Sequence, residues 1–299
     1  MKKVILTGGS GFIGRNAIAG LLSRDYEIHL FDIVSPSNFP EGVVVHECDL
    51  FDSQQQKELL QKIKATHLLH FAWYVVPGKF WTSTENVRWV QASLELLQNF
   101  EKHGGKRVVF TGTCAEYDWS DGFCSEFNTP LIPKTLYGVC KNSLQQIYTA
   151  FCCEKKLSNA WGRIFFLFGP YENPQRLVPS AIQALLADRQ FSCTHGCQVL
   201  DVMHVLDVAT AFVALLDSQV QGPVNIASGQ SVTVKEIVEK IAQKIGKKHL
   251  IKLGTLPLSE EEPMVLKADT KRLQDEVGWK PHFTIDNVLD DTINWWKNA

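Results

Sequence analysis

A tyrosine and a lysine four positions apart are the residues of this chain best suited to move a proton. Tyr137 and Lys141 lie in TLYGVCK, a segment that predicts a helix, so their side chains share one helix face. An ammonium beside a phenol favours the phenolate and lowers the tyrosine's pKa toward the working pH. Thr113, which follows an earlier apolar run, could hold a substrate oxygen while Tyr137 exchanges its proton. The alternative is an exposed helix pair without chemistry, because this spacing occurs by chance in many helices.

Three glycines near the start of the chain could hold phosphate groups. Gly8, Gly11 and Gly14 lie in LTGGSGFIG, behind a short apolar run and ahead of a predicted helix. The free N–H groups and the positive dipole end of such a helix can bind a pyrophosphate, and Phe12 and Ile13 lie in the same turn. A tight turn without a ligand is the alternative interpretation.

The ends of the next strands carry side chains that fit other parts of a dinucleotide. Asp32 ends the second predicted strand, where a carboxylate could accept hydrogen bonds from a ribose diol. Asp49, followed by Leu50, could contact an adenine amino group or be a solvated turn residue. Phe71 and Ala72 follow the fourth strand and would line the floor under a nicotinamide. We therefore predict a NAD(P) site in which Asp32 repels a 2′-phosphate, so that NAD is favoured over NADP.

Apolar runs alternate with helix-like segments through the first half of the chain. Helices are predicted over 12–23, 53–63, 85–102 and 136–154, and the apolar run NAWGRIFFLF predicts a strand over 159–168. This alternation predicts an α/β fold of the Rossmann type, a doubly wound parallel sheet with helices on both faces. Residues 1–168 would form the dinucleotide-binding domain, joined by a helix at about 200–218. After Gly169 and Pro170 the connections become irregular, and residues 169–299 are predicted to form mainly a smaller α/β substrate-binding domain.

The composition argues against several classes of partner and site. The 299 residues carry a formal net charge of −2, which gives no electrostatic case for nucleic acid or an anionic membrane surface. The eight cysteines are scattered and no apolar run approaches the length of a membrane span, so we expect a cytoplasmic protein. Cys193, His195 and Cys197 in CTHGC resemble half of a zinc site. No second pair of ligands is near them in the sequence, so we expect a loop there and no metal site.

These motifs, in this order, resemble the extended short-chain dehydrogenase/reductase family of nucleotide-sugar epimerases, dehydratases and ketoreductases. The matching segments are TGGSGFIG at 7–14, Asp32, CDL at 48–50, ENV at 85–87, TGT at 111–113, YGVCK at 137–141 and RIFFLFGP at 163–170. The resemblance implies that Thr113, Tyr137 and Lys141 are catalytic, that Asn86 lies near the cofactor and that Lys141 reaches the nicotinamide ribose. The implied substrate is a nucleotide-activated sugar, and a homodimer is left open.

Departures from the family's pattern narrow the expected chemistry. Sugar 4,6-dehydratases carry an acid and a base directly after the threonine, where this chain has Cys114 and Ala115, so dehydration is not expected. Glu116 lies one place too far along for a simple substitute, although it could swing inward. The reaction expected first is reduction of a 4-keto sugar. A 4-epimerase with tightly bound NAD is the alternative, and a dinucleotide-binding sensor or scaffold without turnover is the alternative from another class.

Two partners for the substrate that are common in the family are missing. Leu200 stands where an arginine is usual, and Phe166 where an asparagine is usual. The acidic SEEEP at 259–263 also offers no cation. Arg176, in the linker NPQRLVP, is the candidate replacement, with a surface arginine as the alternative. Cys114 and Glu116 complete the predicted substrate-binding set.

Overall fold

The computed structural model describes residues 2–33, 39–258 and 262–299. The strands are β1 (Lys2–Thr7), β2 (Tyr26–Asp32), β3 (Val43–Glu47), β4 (His67–His70), β5 (Arg107–Thr113), β6 (Phe123–Cys124), β7 (Ser158–Ile164), β8 (Phe166–Phe168), β9 (Phe191–Ser192), β10 (Val199–His204), β11 (Gly222–Ile226), β12 (Ser231–Thr233), β13 (Ile251–Lys252) and β14 (Val265–Ala268). The α-helices are α1 (Gly14–Leu22), α2 (Ser53–Ile63), α3 (Glu85–Lys102), α4 (Leu136–Lys155), α5 (Leu177–Leu186), α6 (Val205–Asp217), α7 (Val234–Ile245) and α8 (Ile285–Asn298).

Seven parallel strands form the main sheet, in the order β11-β7-β5-β4-β1-β2-β3. The chain starts in the middle of this sheet and builds outward first on one side of β1 and then on the other. The strand order therefore reverses between β1 and β4, and ligands of such sheets bind in the crevice beyond the strand ends at that point.

Helices cover both faces of the main sheet, which explains why its central strands are apolar on both sides. On one face, Leu21 of α1 and Phe212 of α6 belong to one core with Val4 and Leu6. On the other face, α2, α3 and α4 contribute to a second core, with Leu60, Leu97 and Leu144 among its fully or almost fully buried members. The predicted Rossmann-type fold is confirmed by this arrangement.

A second, smaller sheet carries the rest of the chain. Its strands run in the order β12-β10-β14-β6, and β8 also pairs with β10. Helices α5, α7 and α8 share a separate core in which Ile182, Ile241 and Leu289 are fully buried. The short strands β9 and β13 pair with each other beside it.

Each of the two predicted domains contributes strands to the sheet of the other, so the predicted boundary at residue 168 does not divide the chain cleanly. The predicted strand at 159–168 is two strands, because the chain leaves the main sheet after Ile164 and pairs β8 with β10. Strand β11 falls within the predicted second domain, yet it forms the edge of the main sheet beside β7. Strand β6 falls within the predicted first domain and pairs with β14.

The sequence also raised the questions of a metal site at CTHGC and of a membrane-spanning segment. Cys193 is buried, and His195 and Cys197 are exposed, in the loop that connects β9 to β10. Over the described ranges, no three His, Cys, Asp or Glu side chains converge as metal ligands. No helix within those ranges is both long and apolar enough to cross a bilayer. Residues 259–261 of the acidic segment lie outside the described residues.

Candidate active site

The glycine loop between β1 and α1 is closed so tightly that side chains do not fit. Gly8 has a φ of +67°, and a Cβ built on it would lie 2.8 Å from the Ala72 nitrogen. A Cβ on Gly14 would overlap the Gly8 carbonyl oxygen, and the Gly11 N–H donates to that oxygen at 3.0 Å. Ile13 occupies the N-cap position of α1 and has no polar side chain to cap it. The Ser10 and Gly11 N–H groups are used by protein acceptors. The N–H groups of Phe12 and Ile13, which lead into α1, have no partner among the described residues and remain available to an anionic ligand such as the pyrophosphate of a dinucleotide.

Asp32 at the end of β2 is held against this loop. Its carboxylate accepts hydrogen bonds from the Ser10 N–H at 3.2 Å and the Ser10 hydroxyl at 2.5 Å. Arg15 donates to the Ser10 carbonyl oxygen at 2.7 Å, and its guanidinium lies 4.0 Å from the Tyr171 ring centroid. The structure thus brings the predicted ribose-binding acid together with the predicted phosphate-binding turn.

The strand ends beside β1 supply the remaining predicted cofactor residues. Phe71 is half-buried against Phe212, and the Ala72 N–H donates to the Thr7 hydroxyl at 3.3 Å, next to Gly8. Asp49 is exposed and accepts from the Phe51 N–H at 2.9 Å. The Leu50 side chain is buried in the core under α2 and α3, and its carbonyl oxygen accepts from the Gln56 side chain at 2.6 Å. Phe12 and Ile13 are half-buried in the loop.

The three predicted catalytic residues meet at the end of β5 and the start of α4. Thr113 is the last residue of β5, and its side chain, like those of Tyr137 and Lys141, is less than one-tenth exposed. Thr135 caps α4 by accepting from the Gly138 N–H at 3.1 Å, and the Tyr137 N–H donates to the Trp81 carbonyl oxygen at 3.1 Å. These contacts place the phenol at the first turn of the helix.

Burial dominates the electrostatics of this group. It raises the pKa of Tyr137, while the neighbouring Thr113 hydroxyl and the more distant charge of Arg176 lower it. Burial also lowers the pKa of Lys141 to about 7, with Glu116 acting in the opposite direction. Lys141 donates from Nζ to the Thr111 carbonyl oxygen at 2.9 Å. A bound cation near the phenol would therefore have a large effect on its acidity.

Trp73 lies against Lys141, and Asn86 connects Trp73 to the segment that contains Phe80 and Ser83. The Lys141 Nζ lies 3.7 Å from the Trp73 ring centroid, and the Trp73 Nε1–H donates to the Asn86 Oδ1 at 2.9 Å. The Asn86 amide donates to the carbonyl oxygens of Phe80 and Ser83 at 2.7 and 2.8 Å. The Asn86 side chain is fully buried and bonds to protein groups. The expected role of Asn86 near the cofactor would therefore be to position those groups.

Glu116 is not available to a substrate, which corrects its assignment to the substrate-binding set. Its carboxylate is fully buried and accepts from Arg163 Nε at 2.7 Å, from the Trp161 Nε1–H at 3.0 Å and from the Thr113 N–H at 2.8 Å. Three donors fix the carboxylate inside the protein, so it cannot swing inward over a sugar.

Cys114 and Arg176 are the remaining members of the predicted substrate-binding set. Burial raises the pKa of the Cys114 thiol, which lies near Thr113. Arg176 is exposed, and its guanidinium lies 5.3 Å from the Phe80 ring centroid. The Phe80 ring also packs edge-on against Tyr137, at 5.0 Å between centroids. The Phe80 ring therefore lies between Arg176 and the predicted catalytic residue Tyr137, which leaves Arg176 in a position compatible with binding a substrate anion.

Apart from Phe71, sequence reasoning did not select the aromatic residues of the segment after β4. Phe80 and Trp81 both pack edge-on against Tyr137, and Trp73 covers Lys141. The available signal was their density in FAWYVVPGKFW at 71–81, directly behind a strand end. Aromatic residues are common in cores, so this density alone does not indicate a site.

Sequence comparison relates the chain to enzymes of nucleotide-sugar metabolism. The profile described as "NAD dependent epimerase/dehydratase family" matches residues 4–227. A UDP-glucose 4-epimerase of Corynebacterium glutamicum is 27% identical over 314 residues, covering 97% of this chain and 94% of that protein. A dTDP-4-dehydro-6-deoxyglucose reductase of Escherichia coli is 25% identical, with 97% and 96% covered.

Solved structures show the same fold over the whole chain. The UDP-N-acetylglucosamine 4-epimerase of Methanobrevibacter ruminantium superposes with a TM-score of 0.88 at 24% identity, covering 99% of this chain and 98% of that chain. The UDP-glucose 4-epimerase of Thermus thermophilus, solved with NAD, gives 0.86 at 22% identity and covers 99% of both chains. With the profile match spanning most of its length, the chain belongs to the NAD-dependent epimerase/dehydratase family and is an extended short-chain dehydrogenase/reductase.

Proposed function

We propose that this protein is a nucleotide-sugar 4-epimerase that retains NAD. The meeting of Thr113, Tyr137 and Lys141 at the end of β5 supports hydride transfer at a sugar hydroxyl, and the similar curated proteins favour epimerisation as its outcome. This proposal departs from the net ketoreduction expected first. Most of the similar curated proteins are named UDP-glucose 4-epimerase, and they match 97% or more of this chain. An epimerase also needs no acid or base beyond this set.

Each residue of the predicted cofactor and catalytic sites has a defined task in this proposal. Gly8, Gly11 and Gly14 would hold the pyrophosphate, and Asp32 the adenosine ribose. A nicotinamide bound there supplies the hydride acceptor and donor. Tyr137 would remove the proton from the sugar hydroxyl and later return it.

The neighbours of Tyr137 would adjust that proton transfer. Thr113 would orient the sugar hydroxyl, and the Lys141 ammonium would favour the phenolate. Arg176 would bind a phosphate of the substrate. The buried position of the set restricts water around the reacting atoms, which suits a reaction whose keto form must stay in the site.

Net reduction of a 4-keto sugar is the second candidate. The Escherichia coli reductase that matches 97% of this chain favours it, and the same three residues would suffice. The two reactions differ in their cofactor balance, because an epimerase consumes none and a reductase consumes one reduced cofactor per product.

One assay separates these reactions. Purified protein is incubated with UDP-glucose or dTDP-glucose, without added cofactor, and the sugars are resolved by chromatography and mass spectrometry. The proposal expects the C4 epimer at unchanged mass, and NAD released when the protein is denatured. Cofactor-dependent reduction of a 4-keto sugar without any epimer would favour the second candidate. A product lighter by one water would contradict the absence of dehydration that Cys114 and Ala115 predict.

A further inference from the structure

The surface beside the catalytic tyrosine is aromatic and apolar. Trp81 packs edge-on against Tyr137 at 5.7 Å between ring centroids. The Trp119 Nε1–H donates to the Cys114 carbonyl oxygen at 2.8 Å, one residue after Thr113. Both indoles are only partly buried and therefore present accessible faces near the reacting groups.

This surface continues toward the second sheet through two further apolar side chains. Phe166 on β8 and Leu200 on β10 are partly buried and pack in the same cluster as Trp119. Because β8 and β10 pair, the two side chains lie on adjoining strands. We name Trp81, Trp119, Phe166 and Leu200 the apolar wall.

Two polar side chains close to the wall, Glu116 and Asn86, are committed to other partners. The Glu116 carboxylate accepts from three protein donors, and Asn86 bonds to Trp73, Phe80 and Ser83. The Trp119 N–H is used by Cys114. A hydroxyl pressed against the wall would therefore lose water without gaining one of these partners, which is unfavourable.

We propose that the wall receives a sugar without oxygen at C6, the carbon attached to C5 beside the reacting C4. The methyl group of such a sugar gains by burial against indole and phenyl rings, whereas a hydroxymethyl group does not. The inference rests on the proposed function, since it takes C4 as the carbon held at Tyr137. It assigns Trp119 and Phe166 as the residues that determine specificity.

A matched pair of ligands tests this inference on the holoprotein. Binding of dTDP-glucose and of its 6-deoxy counterpart is measured by calorimetry, because the pair differs only in a hydroxyl. We expect the 6-deoxy sugar to bind about 10- to 100-fold more tightly, the range in which an apolar pocket discriminates against an added hydroxyl. Equal affinities, or tighter binding of the hydroxylated sugar, would overturn the inference and leave the proposed function standing.

A substitution in the wall provides the second measurement. Phe166→Asn supplies an amide partner and is expected to reduce the preference for the 6-deoxy sugar to within a few-fold. Phe127→Asn is the matched control, because Phe127 is exposed and its ring covers Arg272 at 4.9 Å. An undiminished preference in Phe166→Asn would overturn the assignment of that residue. If neither sugar binds a protein that still contains NAD, the proposed function and this inference fail together.

Discussion

Arg163 donates from Nε to the Glu116 carboxylate at 2.7 Å, and the two side chains are 1% and 0% exposed. Arg163 also donates from Nη1 to the Tyr117 hydroxyl at 3.0 Å, which donates to Asn225 Oδ1 at 2.7 Å. Asn225 in turn donates to the Cys124 and Asp269 carbonyl oxygens, each at 3.0 Å. A continuous buried chain of hydrogen bonds thus connects the backbone of Thr113 to the second sheet.

Breaking this ion pair should destabilise the protein strongly. Glu116→Gln leaves the Arg163 charge buried without a counter-ion, and we expect the free energy of unfolding to fall by about 3–5 kcal/mol. Urea denaturation measures it. Glu85→Gln is the control, because its partner Arg88 is exposed and its loss should cost less than about 1 kcal/mol. Equal effects of the two substitutions would show that the buried chain contributes no more than a surface pair.

Removing the Tyr137 hydroxyl should abolish turnover and spare cofactor binding. Tyr137→Phe keeps the ring packed against Phe80 and Trp81 but removes the exchanged proton, so we expect a loss of about 10²–10⁴-fold in kcat. NAD content after denaturation should match that of the parent. Tyr26→Phe is the control, since it also removes a buried hydroxyl, which donates to Asp217. Tyr26 lies at the start of β2, at the end of the strand opposite to Asp32. Activity of Tyr137→Phe within a few-fold of the parent would remove Tyr137 from the mechanism.

Asp32 should make the protein select NAD over NADP. Its carboxylate is held at the loop by Ser10, where a 2′-phosphate would meet a negative charge. Arg15, the nearby cation, is already bonded to the Ser10 carbonyl oxygen. We expect the Kd of NADPH to exceed that of NADH by at least about 10-fold. Asp32→Ser should reduce this ratio, and parallel fluorescence titrations of both cofactors decide the matter.

Trp73 should set the alkaline limit of activity through Lys141. Burial lowers the pKa of Lys141 to about 7, so its ammonium is lost as the pH rises through that value. The indole face favours the charged form, and Trp73→Leu should shift the alkaline limb of the kcat/KM profile down by about 0.5 to 1.5 pH units. Trp89→Leu is the control, because Trp89 packs on Trp73 at 6.1 Å. An unchanged limb in Trp73→Leu would exclude this role.

Buried histidines should make the fold sensitive to mild acid. Burial lowers the pKa of His67 to about 4 and that of His70 to about 3. The unfolded chain binds these protons near pH 6.5 and the folded chain does not, so stability falls as the pH decreases below that value. Each histidine contributes about 1.4 kcal/mol per pH unit in this window. His67→Phe should make urea unfolding less dependent on pH between 6 and 4.5, and an unchanged slope would contradict the assignment.

The elements that the sequence predicts well are those whose signal is local. Helices α2 and α3 begin and end at the predicted residues, because their apolar periodicity lies within the elements themselves and, for α2, the capping residue Asp52 directly precedes the helix. The sequence does not predict the short strands β6 and β14, because β6 forms by pairing with β14, and β14 by pairing with β6 and β10, all of which are distant in the sequence. The division of the predicted strand at 159–168 likewise depends on β10, a distant partner.

The candidate site shows the same limit at the level of side chains. Tyr137 and Lys141 share a helix face, and their spacing is sufficient to place them together. The orientation of Glu116 depends on Arg163 and Trp161, which are 47 and 45 positions away. Nothing near Glu116 in the sequence signals that pairing. Trp73 similarly gains its meaning only when α4 brings Lys141 beneath it.

Strand β11 follows its partner β7 at a distance in the sequence, and this order has a consequence for biosynthesis. Strand β7 pairs with β5 on one side, and its other side is covered only by Gly222–Ile226. A ribosome must therefore add the intervening residues while β7 presents bare N–H and C=O groups, a template for pairing with other chains. Fragments that end near residue 168 keep this open edge permanently. We expect such fragments to aggregate more readily than the 299-residue chain, in which β11 covers that side of β7.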